Sequence, residues 1–205
     1  SISTIVATGA LTPKQAVLFA AFFNFAALWV FELKVAATIG KGTVDPALVD
    51  HFVIFGALMG ALAWNIITWY YGIPSSSSHA LVGGLVGATV VKAGGLTPIV
   101  WSGFGKILIF IIISPLVGFL IGGLLMVLVA WVFRNRSPYQ AGKWFKGGQL
   151  FAAAAYSLGH GGNDAQKTIG IIWLLLITAG ASTTDVKTLP MWVVYACYGA
   201  IAWGT

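Results

Sequence analysis

The chain has 205 residues, 59% of them hydrophobic and only 8% charged, with a mean hydropathy of +0.92 and a formal net charge of +6. A water-soluble domain carries about 25% charged residues, so this chain cannot cover a water-facing surface, and lipid is its solvent. The basic residues sit mainly between apolar runs, which argues against nucleic acid as a partner, and the single cysteine, Cys197, excludes an internal disulfide.

In chain order, Thr12-Pro13 opens a first candidate helix over 15–31, followed by a mixed-charge loop with Glu32, Lys34, Lys41, Asp45 and Asp50. Residues 52–72 make the clearest span, about 20 residues being needed to cross. Trp64, Trp69, Tyr70 and Tyr71 crowd its second half as an interfacial aromatic belt would. After Gly72-Ile73-Pro74-Ser75-Ser76-Ser77-Ser78-His79, residues 80–91 are too short to cross alone and suit half of a re-entrant hairpin. Residues 73–92 are expected to dip in and return on one side. Residues 107–133 form a run of roughly 40 Å if helical at ~1.5 Å per residue, enough to span with tilt, with a kink expected at Pro115. Arg134, Arg136, Lys143 and Lys146, with no acid among them, mark 134–146 as a cytoplasmic loop and as the boundary between two halves. The second half opens with 147–159, is interrupted at His160-Gly161-Gly162-Asn163-Asp164, and resumes as AQKTIGIIWLLLITAG. A short loop with Asp185 and Lys187 precedes a last apolar segment from Pro190 to Thr205. There is no cleavable signal pattern. The missing initiator Met and the ending inside an apolar run are read as a piece of a longer protein.

Two polar stretches inside this apolar frame carry the chemistry. Four hydroxyls and an imidazole are costly in hydrocarbon, and a serine cluster after Pro74, where a helix can start, is a ready anion site. Membrane helices also use single serines for close packing, but four in a row between Pro and His favour binding. In the second stretch, glycines allow the backbone to unwind and expose carbonyl oxygens. Asn163 and Asp164 add hard oxygen ligands suited to an alkali cation, and a protonatable Asp could equally carry H⁺. Asp164 could also pair with Lys167, three residues along a helix. His79 reads as a hydrogen-bonding group behind the ligands, His51 as solvated beside Asp50. Broken helices meeting near the midplane, N-termini toward an anion and carbonyls toward a cation, are how many secondary transporters build their sites.

PSSSSHALVGGLVGA and HGGNDAQKTIGII together resemble the inorganic phosphate transporter family. The resemblance extends over essentially the whole chain, including ALTPKQAVLFAAFFNF and TIGKGTVDP, and the HGGNDAQK form is of bacterial type. It implies two inverted repeats, each with a discontinuous helix bearing Asn-Asp and a later re-entrant hairpin bearing Pro-x-Ser-x-Ser/Thr-His. Residues 1–133 would be most of the first repeat without its Asn-Asp motif, 134–146 the linker, and 147–205 the start of the second repeat without its hairpin. Aligning the repeats sets Thr168-Ile169-Gly170 opposite Ser1-Ile2-Ser3, so the second hairpin is expected near position ~241, past Thr205.

The reading is an all-α polytopic membrane protein, an inverted-repeat secondary transporter with discontinuous helices and a re-entrant hairpin, located in the cell (inner) membrane. The resemblance implies that Ser76, Ser77, Ser78 and Gln166 bind phosphate and that Asn163 and Asp164 hold the coupling cation, Na⁺ or H⁺. Ser75, His79 and Thr168 stand behind them. No catalytic residue, cofactor or resident metal is expected. The partners are phosphate, free or as a metal complex, membrane lipid and, in a homodimer, a second copy. The alternatives are transport of another anion such as sulfate, by a carrier or a channel, and an intramembrane Ser/His hydrolase. The hydrolase is disfavoured because the serine cluster lacks a rhomboid-type Gly-x-Ser nucleophile motif, His79 follows the serines directly, and a second carboxylate to pair with Asp164 is lacking.

Overall fold

The structure is a computed structural model describing residues 2–183 and 185–205; Ser1, Thr184 and the side chains of Lys41, Pro138 and Val186 lie outside the described residues. Among those residues the chain forms eight α-helices, two short 3₁₀ turns and an isolated antiparallel bridge between Val44 and Ile99. The helices are α1 (Ile2–Ala7), α2 (Pro13–Val30), α3 (Lys34–Gly42), α4 (His51–Tyr70), α5 (Ser77–Ala93), α6 (Trp101–Phe133), α7 (Pro138–Thr178) and α8 (Met191–Trp203). Three of them, α2, α4 and α6, are long and apolar enough to cross a membrane.

Local signals set most boundaries. Thr12 and Gln15 form a reciprocal capping box at the start of α2, with Pro13 at its first position. Asp50 caps α4 through the Val53 N–H, Ser76 caps α5 and Ser137 caps α7. The end of α5 is set by Gly94, whose φ of 69° is a left-handed value that glycine adopts without strain.

The long α7 organises the molecule. It is one unbroken helix of 41 residues, about 60 Å at ~1.5 Å per residue. This corrects the expected interruption at 160–164. The glycines there serve close approach instead. A Cβ on Gly161 would run into the backbone of Asn24, one on Gly162 into the Phe31 ring, and one on Gly170 into Ile39 and the Ala36 carbonyl. Helices α2 and α3 therefore lie directly on α7. Their pairings run in step along it: Ala16 shares a cluster with Ala153, Ala27 with Ala165, and Gly40 meets Trp173. The break lies in this neighbour, at Phe31–Leu33 between α2 and α3, opposite Gly162. The segment expected as a mixed-charge loop thus contains a helix, α3, because Ala36, Ile39 and Gly40 fall on one face and meet α7.

Helices α4 and α5 form an antiparallel hairpin. Gly84 sits against the Ala57 backbone, where any side chain would collide, and Gly56 faces Ala88. The open end is closed by Lys92 Nζ and Asp50 Oδ2 at 2.7 Å. Lys92, and then the Val53 N–H, hold the Asp50 carboxyl below the ordinary carboxylate range, so this clamp is intact above that range and is lost as pH falls through the lowered pKa. Contrary to the expectation from sequence, residues 73–92 do not form both limbs of a hairpin. The descending limb is α4, the tip is 71–76, and α5 is the return limb, seventeen residues long rather than twelve. Val82, Leu85 and Val86 of α5 share a core with Val53 and Ile54 of α4 and Ile171 and Leu174 of α7. On the other side of α7, Ile169 and Trp173 pack with Val193, Val194 and Tyr198 of α8.

Helix α6 stands apart, with Gly103 as its one buried residue among those described. Its first turns touch the core through Gly103, Phe104 and Ile107, and residues 108–132 are exposed throughout, as suits a helix solvated by lipid, with Pro115 inside it. The basic segment 134–146 is mostly helical too: the turn is confined to 134–137 and the rest is the first two turns of α7. The Thr178 end of α7 lies beside Asp45, Asp50 and His51 around a cavity of about 550 Å³.

These ends predict opposite membrane faces. With Cys197 replaced, Asn135→Cys should react with impermeant maleimide only in opened cells, and Ala181→Cys in intact ones. The reverse pattern would invert the orientation.

Candidate functional site

The serine cluster lies at the hairpin tip. Ser76 is the N-cap of α5, its Oγ accepting from the His79 N–H at a long 3.4 Å. Ser75 Oγ accepts from the Trp64 indole N–H at 3.1 Å, so that tryptophan ties the tip to α4. Ser75 and Ser77 are exposed, Ser76 and Ser78 half-buried. The backbone N–H groups of Ser77 and Ser78 have no helical acceptor, as the start of a helix requires. The His79 ring is exposed.

Ser78 makes the long-range contact. Its Oγ accepts from Lys167 Nζ of α7 at 2.6 Å, across 89 positions of sequence. The same ammonium donates to Asp164 Oδ1 at 2.8 Å, and the other carboxylate oxygen stands 3.3 Å from His160 Nδ1. His160, Asp164 and Lys167 are at i, i+4 and i+7 and share one face of α7. That alignment exists only because the helix is unbroken here. Ser78 is fourteen residues from the clamp at Lys92, about 21 Å, and Lys167 is eleven from Thr178, about 16 Å. Both groups thus lie well away from the helix ends at Lys92 and Thr178.

Asn163 and Asp164 point in different directions. Neighbours on a helix point about 100° apart. Asn163 Nδ2 donates to the Gly159 carbonyl at 2.8 Å, and the residue lines a cleft of about 350 Å³ at the α2–α3 break with Phe31, Glu32 and Lys34. Glu32 and Lys34 form an exposed ion pair at 2.8 Å. Asp164 and Thr168 instead border a groove toward Ala196, Cys197 and Ala200 of α8. Among the described residues no group of three or more His, Cys, Asp or Glu side chains is placed to hold a metal ion.

Gln166 is directed elsewhere than expected. It is 1% exposed, and its Oε1 accepts from the Val35 N–H at 3.0 Å and the Ala36 N–H at 3.4 Å. It caps the start of α3, which Leu33 cannot do with its own side chain. The sequence reading thus placed the serines and Asp164 in one centre, but missed the contact of Lys167 with Ser78, the ring of His160 beside Asp164, and the Glu32–Lys34 pair at the break. The spacing 160, 164, 167 was the available signal, once a continuous helix is assumed.

The comparisons agree with this architecture. The model of the phosphate transporter family matches residues 1–146 and 134–205. The chain is 52% identical over its whole length to a Rhizobium meliloti (strain 1021) protein named "Probable low-affinity inorganic phosphate transporter", and 43% identical to a Bacillus subtilis (strain 168) protein of the same name. In each case it spans 61% of the relative's length. A solved structure titled "The sodium-dependent phosphate transporter" superposes with a TM-score of 0.75 at 21% identity, covering 98% of this chain and 68% of the other. The fold is thus that of a helical membrane transporter. The chain belongs to the phosphate transporter family.

Gln166→Leu should leave the Val35 and Ala36 N–H groups without an acceptor and cost about 1–3 kcal/mol. A lower thermal midpoint of the detergent-purified protein, compared with Gln166→Glu, which keeps an acceptor, checks this.

Proposed function

We propose that this chain forms part of a secondary transporter that carries inorganic phosphate across the cell membrane in symport with a cation. The observation that carries the reading is the seating of a serine-rich helix start on the Lys167–Asp164–His160 trio of α7, in a member of the phosphate transporter family. Phosphate would rest against the first turn of α5. The Ser76, Ser77 and Ser78 hydroxyls and the open N–H groups would replace water around its oxygens. The α5 dipole adds about 0.3–1 kcal/mol when exposed and more when buried. Ser75, held by Trp64, and His79 support this turn rather than face the anion.

The coupling cation, Na⁺ or H⁺, would act at Asp164, whose two oxygens are already shared between Lys167 and His160. Binding there loosens the carboxylate's hold on Lys167, which links the cation to the tip of the hairpin. Asn163 and Glu32, facing the α2–α3 break, offer oxygen ligands at the same depth. Partial neutralisation by the cation lowers the cost of burying the anion, which gives coupling its physical basis.

Two outcomes follow in the full protein as encoded. Ser76→Ala/Ser78→Ala should raise the KM for ³²P-phosphate uptake about tenfold or more, each lost bond to a charged ligand being worth about 1.5–3 kcal/mol; unchanged kinetics with normal membrane levels would reject the anion site. Asp164→Asn should abolish accumulation driven by imposed Na⁺ or pH gradients while phosphate exchange survives. Gradient-driven uptake equal to wild type would remove Asp164 from coupling.

A further inference from the structure

We infer that Lys167 is itself a phosphate ligand: a resident ammonium that binds the anion together with Ser78. This rests on the phosphate-site reading above and adds to it the group that supplies the positive charge.

Three observations carry it. First, Lys167 joins the two polar centres directly, with Nζ 2.6 Å from Ser78 Oγ and 2.8 Å from Asp164 Oδ1. An ammonium has three donors and no acceptor. Two are engaged among the described residues, which leaves the third for an incoming oxygen at the tip. Second, the direction of the Ser78 bond is fixed, because only the hydroxyl can accept. Its own O–H is then free to donate, and a hydroxyl polarised by a cation donates more strongly. Ser78 and Lys167 therefore present donors side by side, suited to neighbouring oxygens of one tetrahedral anion. Third, the lysine side chain is 23% exposed, against 37% for Asp164. It is sheltered enough for its charge to be weakly screened, yet open enough for an anion to reach.

A purely structural role predicts something different. If Lys167 only neutralises Asp164, the two can be removed together without harm, since no unpaired charge remains. If it binds phosphate, removing Asp164 as well does not restore affinity.

The readout is phosphate–phosphate exchange in proteoliposomes of the full protein, with no ion gradient, so that coupling does not enter. Lys167→Gln should raise the half-saturating phosphate concentration about 10–100-fold, as expected for a lost bond to a charged group. Lys167→Arg, which keeps the charge, should stay within a few-fold of wild type. Asp164→Asn/Lys167→Gln should remain as weak as Lys167→Gln. As a check independent of folding, Lys167→Cys with Cys197 replaced should regain phosphate affinity after alkylation with 2-bromoethylamine, which rebuilds an ammonium chain of lysine length. Alkylation with iodoacetamide should not restore it. Wild-type affinity in Lys167→Gln, recovery in the double variant, or equal recovery with both reagents would overturn the assignment. Absence of phosphate exchange by the wild-type protein would instead sink the transport reading on which it rests.

Discussion

The structure turns on one ammonium group, Lys167, held between the Asp164 carboxylate and the Ser78 hydroxyl. A charge among apolar membrane helices is expensive unless partnered, and removing one member of a fully buried pair costs about 3–5 kcal/mol. This pair, partly open to solvent, sits below that figure, but it still constrains its surroundings. It requires α7 to stay helical from His160 through Lys167, so that the three side chains line up. It requires the α4–α5 tip to stop where Ser78 can reach α7. The hairpin meets that requirement through Gly84 against Ala57, which draws the two limbs together, and through the Asp50–Lys92 clamp at its open end.

The same centre explains where the chain breaks. An unwound segment in hydrocarbon must have its backbone groups satisfied by protein. The break at Phe31–Leu33 lies against α7, and Gln166 accepts from the first free N–H groups of α3. Successive residues of α7 thus serve two directions. Asn163 lines the break, Asp164 and Lys167 serve the hairpin tip, and Gln166 caps α3. One unbroken helix distributes these roles by rotation alone, so the discontinuity resides in its neighbour.

Much of the frame was legible from sequence. The spans in α2, α4 and α6 follow from apolar length, and the start of α5 from Pro74 and the capping serines. Membership of the phosphate transporter family was legible from the two polar motifs. The site was legible only in part. HGGND read as a place to unwind because glycine permits it, yet Gly161 and Gly162 are required for contact with Asn24 and Phe31, partners far away in the chain. Glu32 and Lys34 read as part of a mixed-charge loop because nothing local places α3 against α7. Lys167 was visible as a neighbour of Asp164, but its contact with Ser78 depends on a hairpin fold that no local pattern encodes.

The most direct test is an experimental structure of the full protein with phosphate bound. The account predicts anion density at the first turn of α5, within about 3 Å of the Ser76–Ser78 hydroxyls and of Lys167 Nζ, on an α7 that is helical through 160–168. Phosphate bound elsewhere, with Lys167 still closed on Asp164 and Ser78, would contradict it.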